Sequence, residues 1–460
     1  MKTYRSSVLL LLAMQTFLAG GAFGVTQRIH EASLSSGVFA NTTGEFETHV
    51  VGEVKAVGAA RVRVPLSVIN LGRSSKIRFV SLADGQSQTL DSAQLALWSY
   101  TSALFNGDAV RLELVVAAGD QGVSVQVTRV LGFVDQAESD GVSDCCGGGE
   151  VESLCGPDNR GSSSDNRVGR IGGRCTGWLV SNGAVLTAGH CGIGAGEIFE
   201  VNVPASLANG TQVTSAIQDQ YPVIAGSITT VNLSIGHDWS VFRIGPNSLN
   251  QSAFQYGYFR MTRELPAGNA TTRVTGCGID NSPLGSQPMV CGNTDTAGNC
   301  THFGLNAQNQ TLQTSTGAFS SEVGGGNAIS LRYAVDTEPA NSGSSIIWEG
   351  NGFTVGIHTN GGCTTSGGTN SGTSFELDAL ENAIAAVPGP NCRYLDFVKA
   401  PGGAENGTVF EPHDSLGEAI NSVPVGGTLS VVGGSYSAVG VPLDKAMTIT
   451  APVGTVHFGN

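Results

Sequence analysis

Leu186-Thr187-Ala188-Gly189-His190-Cys191 follows an apolar run, Gly177-Trp178-Leu179-Val180-Ser181-Asn182-Gly183-Ala184-Val185. The Asn182-Gly183 pair inside that run is a turn signal, because both residues tolerate the positive φ that tight hairpins need. Two short strands joined there would carry His190 out of a sheet at the start of a sharp bend, presented rather than buried. Cys175 stands sixteen positions before Cys191. A disulfide between them would clamp both ends of the hairpin and hold the imidazole in place.

A cysteine, apolar strands and then Thr-Ala-Gly-His-Cys resembles the histidine segment of the trypsin/chymotrypsin-like serine proteases. That resemblance requires an aspartate and a serine downstream, in that order. Asp238, in Gly236-His237-Asp238-Trp239-Ser240-Val241, precedes an apolar strand and matches the family's Asp-x-(Ala/Ser)-aliphatic pattern. Ser342, in Glu338-Pro339-Ala340-Asn341-Ser342-Gly343-Ser344-Ser345-Ile346-Ile347, lies where Asn and Gly make a sharp turn before another apolar strand. Such a turn exposes the hydroxyl and aims neighbouring backbone amides at one point. The resemblance therefore implies His190 as base, Asp238 as its orienting acid and Ser342 as nucleophile, with the amides of Ala340 and Ser342 forming an oxyanion hole. Asn-Ser-Gly-Ser is similar to the nucleophile motif of the glutamyl-endopeptidase (V8-like) branch. The family has glycine where Ala340 stands, and a Cβ there works against the peptide orientation that the hole requires.

Two readings of the substrate pocket compete. His358, in Gly356-Ile357-His358, and Thr337, five residues before Ser342, fall on positions that in the V8-like branch hold a substrate glutamate; an imidazole and a hydroxyl are suitable donors for a carboxylate. Asp336 stands where trypsin-like enzymes place the acid that selects Arg or Lys, and it would repel an acidic side chain. The acidic preference is the favoured expectation.

The chain has 460 residues, enough for several domains, with 65 glycines, few charged residues and a formal charge of -14. That charge argues against nucleic acid or an anionic membrane as partner. Residues 1–24 have the basic start, the apolar run Val8–Met14 and the small-residue end of a secretory signal, with no later run long enough to span a bilayer. The product is expected outside the cell or in the periplasm, soluble and without a transmembrane anchor. Ten cysteines in such a chain point to disulfides more than to metal ligands; Cys175 with Cys191 is the one pairing expected, the others being left open.

Period-two alternation, as in Lys76-Ile77-Arg78-Phe79-Val80 and Val123-Ser124-Val125-Gln126-Val127, makes residues 25–135 a small antiparallel β-domain, a sandwich that serves as a pro-region, a folding aid or a binding module. Residues 136–170, with Cys145-Cys146-Gly147-Gly148-Gly149 and Ser162-Ser163-Ser164, read as an exposed linker, with Arg160, Arg167 or Arg170 as candidate processing points. Ile171-Gly172-Gly173 mimics an activation terminus but lies too near Cys175 to be one. Residues 171–392 suit the two β-barrels that the resemblance implies. Thr373-Ser374-Phe375-Glu376 has capping-box spacing ahead of a closing helix that ends before Pro388. Residues 393–460 resemble the cap and first coils of a right-handed parallel β-helix, expected to dock on the protease or to contact a surface or partner.

The chain is thus expected to be all-β, a double-barrel protease domain between a small β-domain and a β-helix-like segment, and to be a secreted serine endopeptidase acting on proteins or peptides. Its chemistry calls for no metal or other cofactor. The competing expectation is a protease-fold scaffold, weak or inactive in catalysis, that serves as an extracellular binding or adhesion module. A polysaccharide-active β-helix enzyme is disfavoured, because residues 393–460 are too few for a long groove.

Overall fold

The computed structural model describes residues 26–134, 154–280, 307–364 and 367–459, together with the backbone of 291–294 and 300–303. The expected signal segment and Cys145-Cys146 lie outside the described residues.

The alternating segments near the N-terminus form a β-sandwich. One sheet is built on the long strand Gln121–Val134, flanked by Thr26–Ser35 and Arg61–Arg63; the other runs Glu47–Lys55, Ala109–Val116, Lys76–Ser81 and Ser87–Leu90. Val123, Val125 and Val127 point inward as their alternation requires, and with Val62, Phe79, Leu112, Leu114 and Trp98 they make one core. That core does not stop at the sandwich: Ile198 and Ile217 of the following body are part of it.

The body consists of two curved sheets. The first runs in the order Gln220–Pro222, Ile198–Glu200, Val168–Ile171, Cys175–Leu179, Val185–Thr187, His237–Phe242, Thr229–Ser234 and curls into a half-barrel. The second closes completely: Gln313–Gly325, Thr271–Gly276, Ser345–Trp348, Thr354–Asn360, Asn370–Ser374 and Ala328–Ala334 form a six-stranded ring, because the last also pairs with the first. This is the double-barrel, trypsin-like arrangement. The expected hairpin is present, with Trp178 opposite Leu186 and Gly183 at φ +85° in the turn.

The stretch expected to be a linker requires correction. From residue 154 it is built into the body: Gly161–Ser162 adds to the second barrel, and Val168–Ile171 is a strand of the first. Arg170 is fully buried with its guanidinium on the Glu200 carboxylate at 3.0 Å, Arg160 is buried against Asp158, and Arg167 pairs with Asp165. None is the free, exposed site that processing needs. Ile171 is buried in a strand, opposite Cys175.

The closing helix spans Asp378–Ala385, but Leu377 caps it, without a side-chain hydrogen bond. The capping-box reading fails because Thr373 and Ser374 end a barrel strand instead. Beyond it, Cys392–Leu395, Thr428–Ser437 and Thr448–Gly459 stack in parallel, with helix Leu416–Ser422 capped by the Ser415 hydroxyl against them. Tyr394, Val409 and Phe410 share a core with Trp178, Phe375 and Ile384 of the body, and Asp396 accepts from Arg260 at 2.6 Å.

Gln220 ties the sandwich to the body. Its amide oxygen accepts from the Leu104 amide at 2.9 Å and its nitrogen donates to the Leu104 carbonyl at 2.8 Å, all buried. Leaving a buried backbone donor and acceptor unpaired costs about 1–3 kcal/mol each. Gln220→Leu is therefore expected to lower unfolding stability by at least about 2 kcal/mol, measured by denaturant unfolding.

Candidate active site

The strand Val185–Thr187 ends in a 3-10 turn, Gly189–Cys191, that lifts His190 to the surface. A Cβ on Gly189 would lie 1.9 Å from the Val231 carbonyl, so glycine is required for this close approach. The sulfurs of Cys175 and Cys191 are bonded across the base of the hairpin. Asp238 is buried and holds the histidine twice: Oδ1 accepts from the His190 backbone amide at 2.9 Å, and Oδ2 lies 2.5 Å from Nδ1. Behind it, the Thr373 hydroxyl donates to the Asp238 carbonyl at 2.8 Å and accepts from its amide at 3.3 Å. Thr373 thus staples the aspartate of one barrel to a strand of the other, a role that capping-box spacing concealed.

Ser342 is carried on the loop between strands Ala328–Ala334 and Ser345–Trp348. The loop is welded to the histidine hairpin through Thr176, whose amide donates to the Ser342 carbonyl at 2.9 Å and whose hydroxyl donates to the Ala340 carbonyl at 3.0 Å. Thr187 in turn donates to the Thr176 carbonyl at 2.7 Å. Gly343, at φ +92°, donates to the His358 carbonyl at 2.8 Å, and a Cβ there would come within 2.1 Å of the Thr187 hydroxyl. Neither Thr176 nor Thr187 carries a local signal of this role; only the meeting of the two segments reveals it.

The turn before Ser342 has a defined shape. The Asn341 amide donates to the Glu338 carbonyl at 3.0 Å, Pro339 occupies the second position and Ala340 the third with φ +76°. That is the pattern of a type II turn, which normally takes glycine at the third position. A non-glycine residue held there costs about 1–3 kcal/mol. The Pro339 carbonyl accepts from the Ile279 amide at 2.8 Å, which aims the N–H of the same peptide, that of Ala340, the opposite way. Neither the Ala340 nor the Ser342 amide donates to any group among the described residues. Two unpaired amides on one tight turn are suited to receiving an anionic oxygen.

Asp336, Thr337 and His358 are all buried. The Asp336 carboxylate is already occupied: it accepts from the backbone amides of Cys155 at 2.6 Å and Asn159 at 2.8 Å. Burial still pushes its pKa above the ordinary range against these two bonds. Cys155 is itself bonded to Cys363 across the neighbouring loop, a pairing that sequence alone left open. The Thr337 hydroxyl accepts from the Asn370 side chain at 3.0 Å.

His358 Nδ1 lies 2.6 Å from the Tyr333 hydroxyl. Where Tyr333 donates to Nδ1, the neutral ring carries its proton on Nε2. The Tyr333 hydroxyl also lies 3.2 Å from the Ser371 carbonyl, a longer contact. Burial, with the nearby His190 adding to it, pushes the His358 pKa down to about 3. Among the described residues, Cys175, His190 and Cys191 lie as close as metal ligands would, but both sulfurs are spent on the disulfide; Glu405, His413 and Glu418 converge in the C-terminal segment.

Residues 159–376 match the family model Trypsin. A search of curated proteins finds no significant match. Among solved structures, a Glu endopeptidase in complex with MPD is 18% identical, with 51% of this chain and 99% of that one covered at a TM-score of 0.35. The protease Anisep from Arthrobacter nicotinovorans is 15% identical, covering 49% of this chain and 100% of that one, TM-score 0.32. The thermostable serine protease AL20 from an extremophilic microorganism is 13% identical, covering 46% and 92%, TM-score 0.31.

The depressed His358 pKa has a definite consequence for stability. In the unfolded chain the ring takes up a proton below about 6.5, whereas in the native protein it stays neutral until about 3, so stability falls as pH drops through that window. The limiting slope from this group is about 1.4 kcal/mol per pH unit. His358→Gln is expected to lose this component, seen as a shallower fall in unfolding free energy between pH 6.5 and 3 than in the wild type.

Proposed function

Starting from a chain whose residues 159–376 form a trypsin-like serine protease domain, we propose that the protein is an exported serine endopeptidase with Ser342 as nucleophile and a preference for acidic residues before the scissile bond. The observation that carries the catalytic assignment is the doubly bonded His190–Asp238 pair beside a serine turn with two unpaired amides.

In this reading Asp238 Oδ2 accepts the proton-bearing Nδ1 of His190, which leaves the Nε2 lone pair free to act as base. The Ser342 hydroxyl oxygen attacks the peptide carbonyl carbon while its proton passes to Nε2. The carbonyl oxygen becomes an oxyanion received by the Ala340 and Ser342 amides. His190 then gives its proton to the leaving amine, the C–N bond breaks and an acyl-enzyme remains. Water, deprotonated by the same imidazole, releases the acid and restores Ser342.

The acidic preference draws its support from how the pocket residues are committed. Asp336 spends both oxygens on the amides of Cys155 and Asn159, which removes the acid that a basic substrate would need. His358, with Nδ1 on Tyr333, offers an N–H from Nε2, and Thr337 stands by with its hydroxyl oxygen held by Asn370. Two disulfides fit an oxidising compartment outside the cytosol, and no described helix is long and apolar enough to cross a membrane. The parallel strands of the C-terminal segment fit the start of a β-helix that serves as a surface or partner contact.

The strained Ala340 favours a second reading, a protease-fold binding module with little or no catalysis. Labelling with a fluorophosphonate separates the two. The expected result is stoichiometric modification of Ser342 that Ser342→Ala abolishes; an unreactive folded protein would exclude the enzyme. Asp238→Asn should cut kcat by about four orders of magnitude. Profiling a peptide library should show Glu at the cleaved position favoured over Lys and Arg by about tenfold or more, the scale of one unsatisfied charged partner. Dominant cleavage after Lys or Arg would overturn the acidic preference.

A further inference from the structure

We infer that Arg160 is a positioning residue for the oxyanion turn, acting through Ile279 and Glu338 on the peptide that presents the Ala340 amide. The inference rests on the protease reading above and adds to it a group that lies far from Ser342 in the chain.

Arg160 is buried, and its guanidinium is divided between three directions. Nε and Nη2 donate to Asp158 at 3.1 and 2.8 Å, which anchors the side chain two residues from its own backbone. Nη1 donates to the Ile279 carbonyl at 2.9 Å, and the amide of Ile279 donates to the Pro339 carbonyl at 2.8 Å. A peptide is planar with its C=O and N–H opposed, so holding the Pro339 oxygen fixes the direction of the Ala340 N–H. The third direction is electrostatic: Nη2 faces Asp280 at 3.7 Å and Glu338 at 4.0 Å. Glu338 opens the turn whose third residue is Ala340. One cation therefore grips the turn at its first residue and, through one intermediate peptide, at its centre.

The grip matters because of what occupies the third position. With glycine the turn would hold its shape unaided, whereas Ala340 at φ +76° is strained by its Cβ. Rotation of the Pro339–Ala340 peptide would relieve that strain, at the cost of turning the Ala340 N–H away from the site. The Ile279 amide opposes the rotation, and Arg160 keeps Ile279 in place. The segment bearing Arg160 is itself secured: Cys155 is disulfide-bonded to Cys363, and the Asn159 amide donates to Asp336. Burial alone would lower the Arg160 pKa, but the carboxylates around it raise it above the ordinary value, so the cation persists at any working pH.

The test is a double-mutant cycle on the full-length chain. Arg160→Lys keeps the charge but loses the planar fork that reaches Asp158 and the Ile279 carbonyl in two fixed directions at once. The expected result is a fall in kcat of about tenfold to a hundredfold, below the loss of a whole oxyanion donor, with KM within about twofold and near-native melting. Combining it with Ala340→Gly should bring kcat to within about threefold of Ala340→Gly alone, because glycine no longer needs the grip. An unchanged kcat in Arg160→Lys, or a loss that Ala340→Gly fails to restore, would overturn the inference while leaving the protease reading intact. A wild type that neither turns over nor reacts with fluorophosphonate would remove both. Should Arg160→Lys fail to fold, Glu338→Gln takes its place in the same cycle with the same deciding outcomes at smaller amplitude.

Discussion

The candidate site depends on Thr176. This one buried residue gives its amide to the Ser342 carbonyl, its hydroxyl to the Ala340 carbonyl and its own carbonyl to Thr187, and its hydroxyl also accepts from the Cys277 amide. A strand of the first barrel thereby grips the serine loop of the second. Each such bond contributes only about 0.5–1.5 kcal/mol net, but leaving any partner unmet in this dry joint would cost more. Thr373 does the complementary work, tying the backbone of Asp238 in the first barrel to a strand of the second. Two threonines, facing opposite ways across the interface, set where the three candidate catalytic groups lie.

Around this joint, buried polar groups are committed before any substrate arrives. Asp336 is taken by two backbone amides, Asp238 by His190 and Arg160 by Asp158 and Ile279. Among the described residues, the groups left uncommitted here include the two amides on the serine turn, one ring nitrogen each of His190 and His358, and the buried hydroxyls of Ser344 and Ser345. The contrast is informative because unpaired donors in a packed region persist only when something else stabilises them. The strained Ala340 turn belongs to the same pattern, a local cost borne by surrounding hydrogen bonds.

The flanking segments share in this organisation. The sandwich shares its core with Ile198 and Ile217, and the C-terminal segment contributes Tyr394, Val409 and Phe410 to the core beneath the closing helix. Residues 154–170 lack apolar periodicity, which made them read as linker. They are nonetheless held by a disulfide, buried ion pairs and two short strands. Periodicity reports apolar burial, and these residues are buried through their polar groups, which leave no periodic trace.

Local pattern was enough for the elements whose partners lie close in the chain: the hairpin turning at Asn182-Gly183 and the alternating sandwich strands. It also suggested His190, Asp238 and Ser342 as candidates, because each lies in a short segment with its own turn or strand signal. It failed where a side chain's partner was distant. Thr373 sits at capping-box spacing yet bonds Asp238, which is 135 positions away; Asp336 has the position of a pocket acid yet is turned to Cys155, 181 positions away. The residues of the candidate site were thus nominated by sequence, whereas their orientation, and which of them remain free to meet a substrate, were decided by tertiary structure. The physical reason is that a hydrogen bond is directional and goes to whatever partner the packed chain brings within about 3 Å, and that partner is chosen by the meeting of barrels rather than by neighbours in the chain.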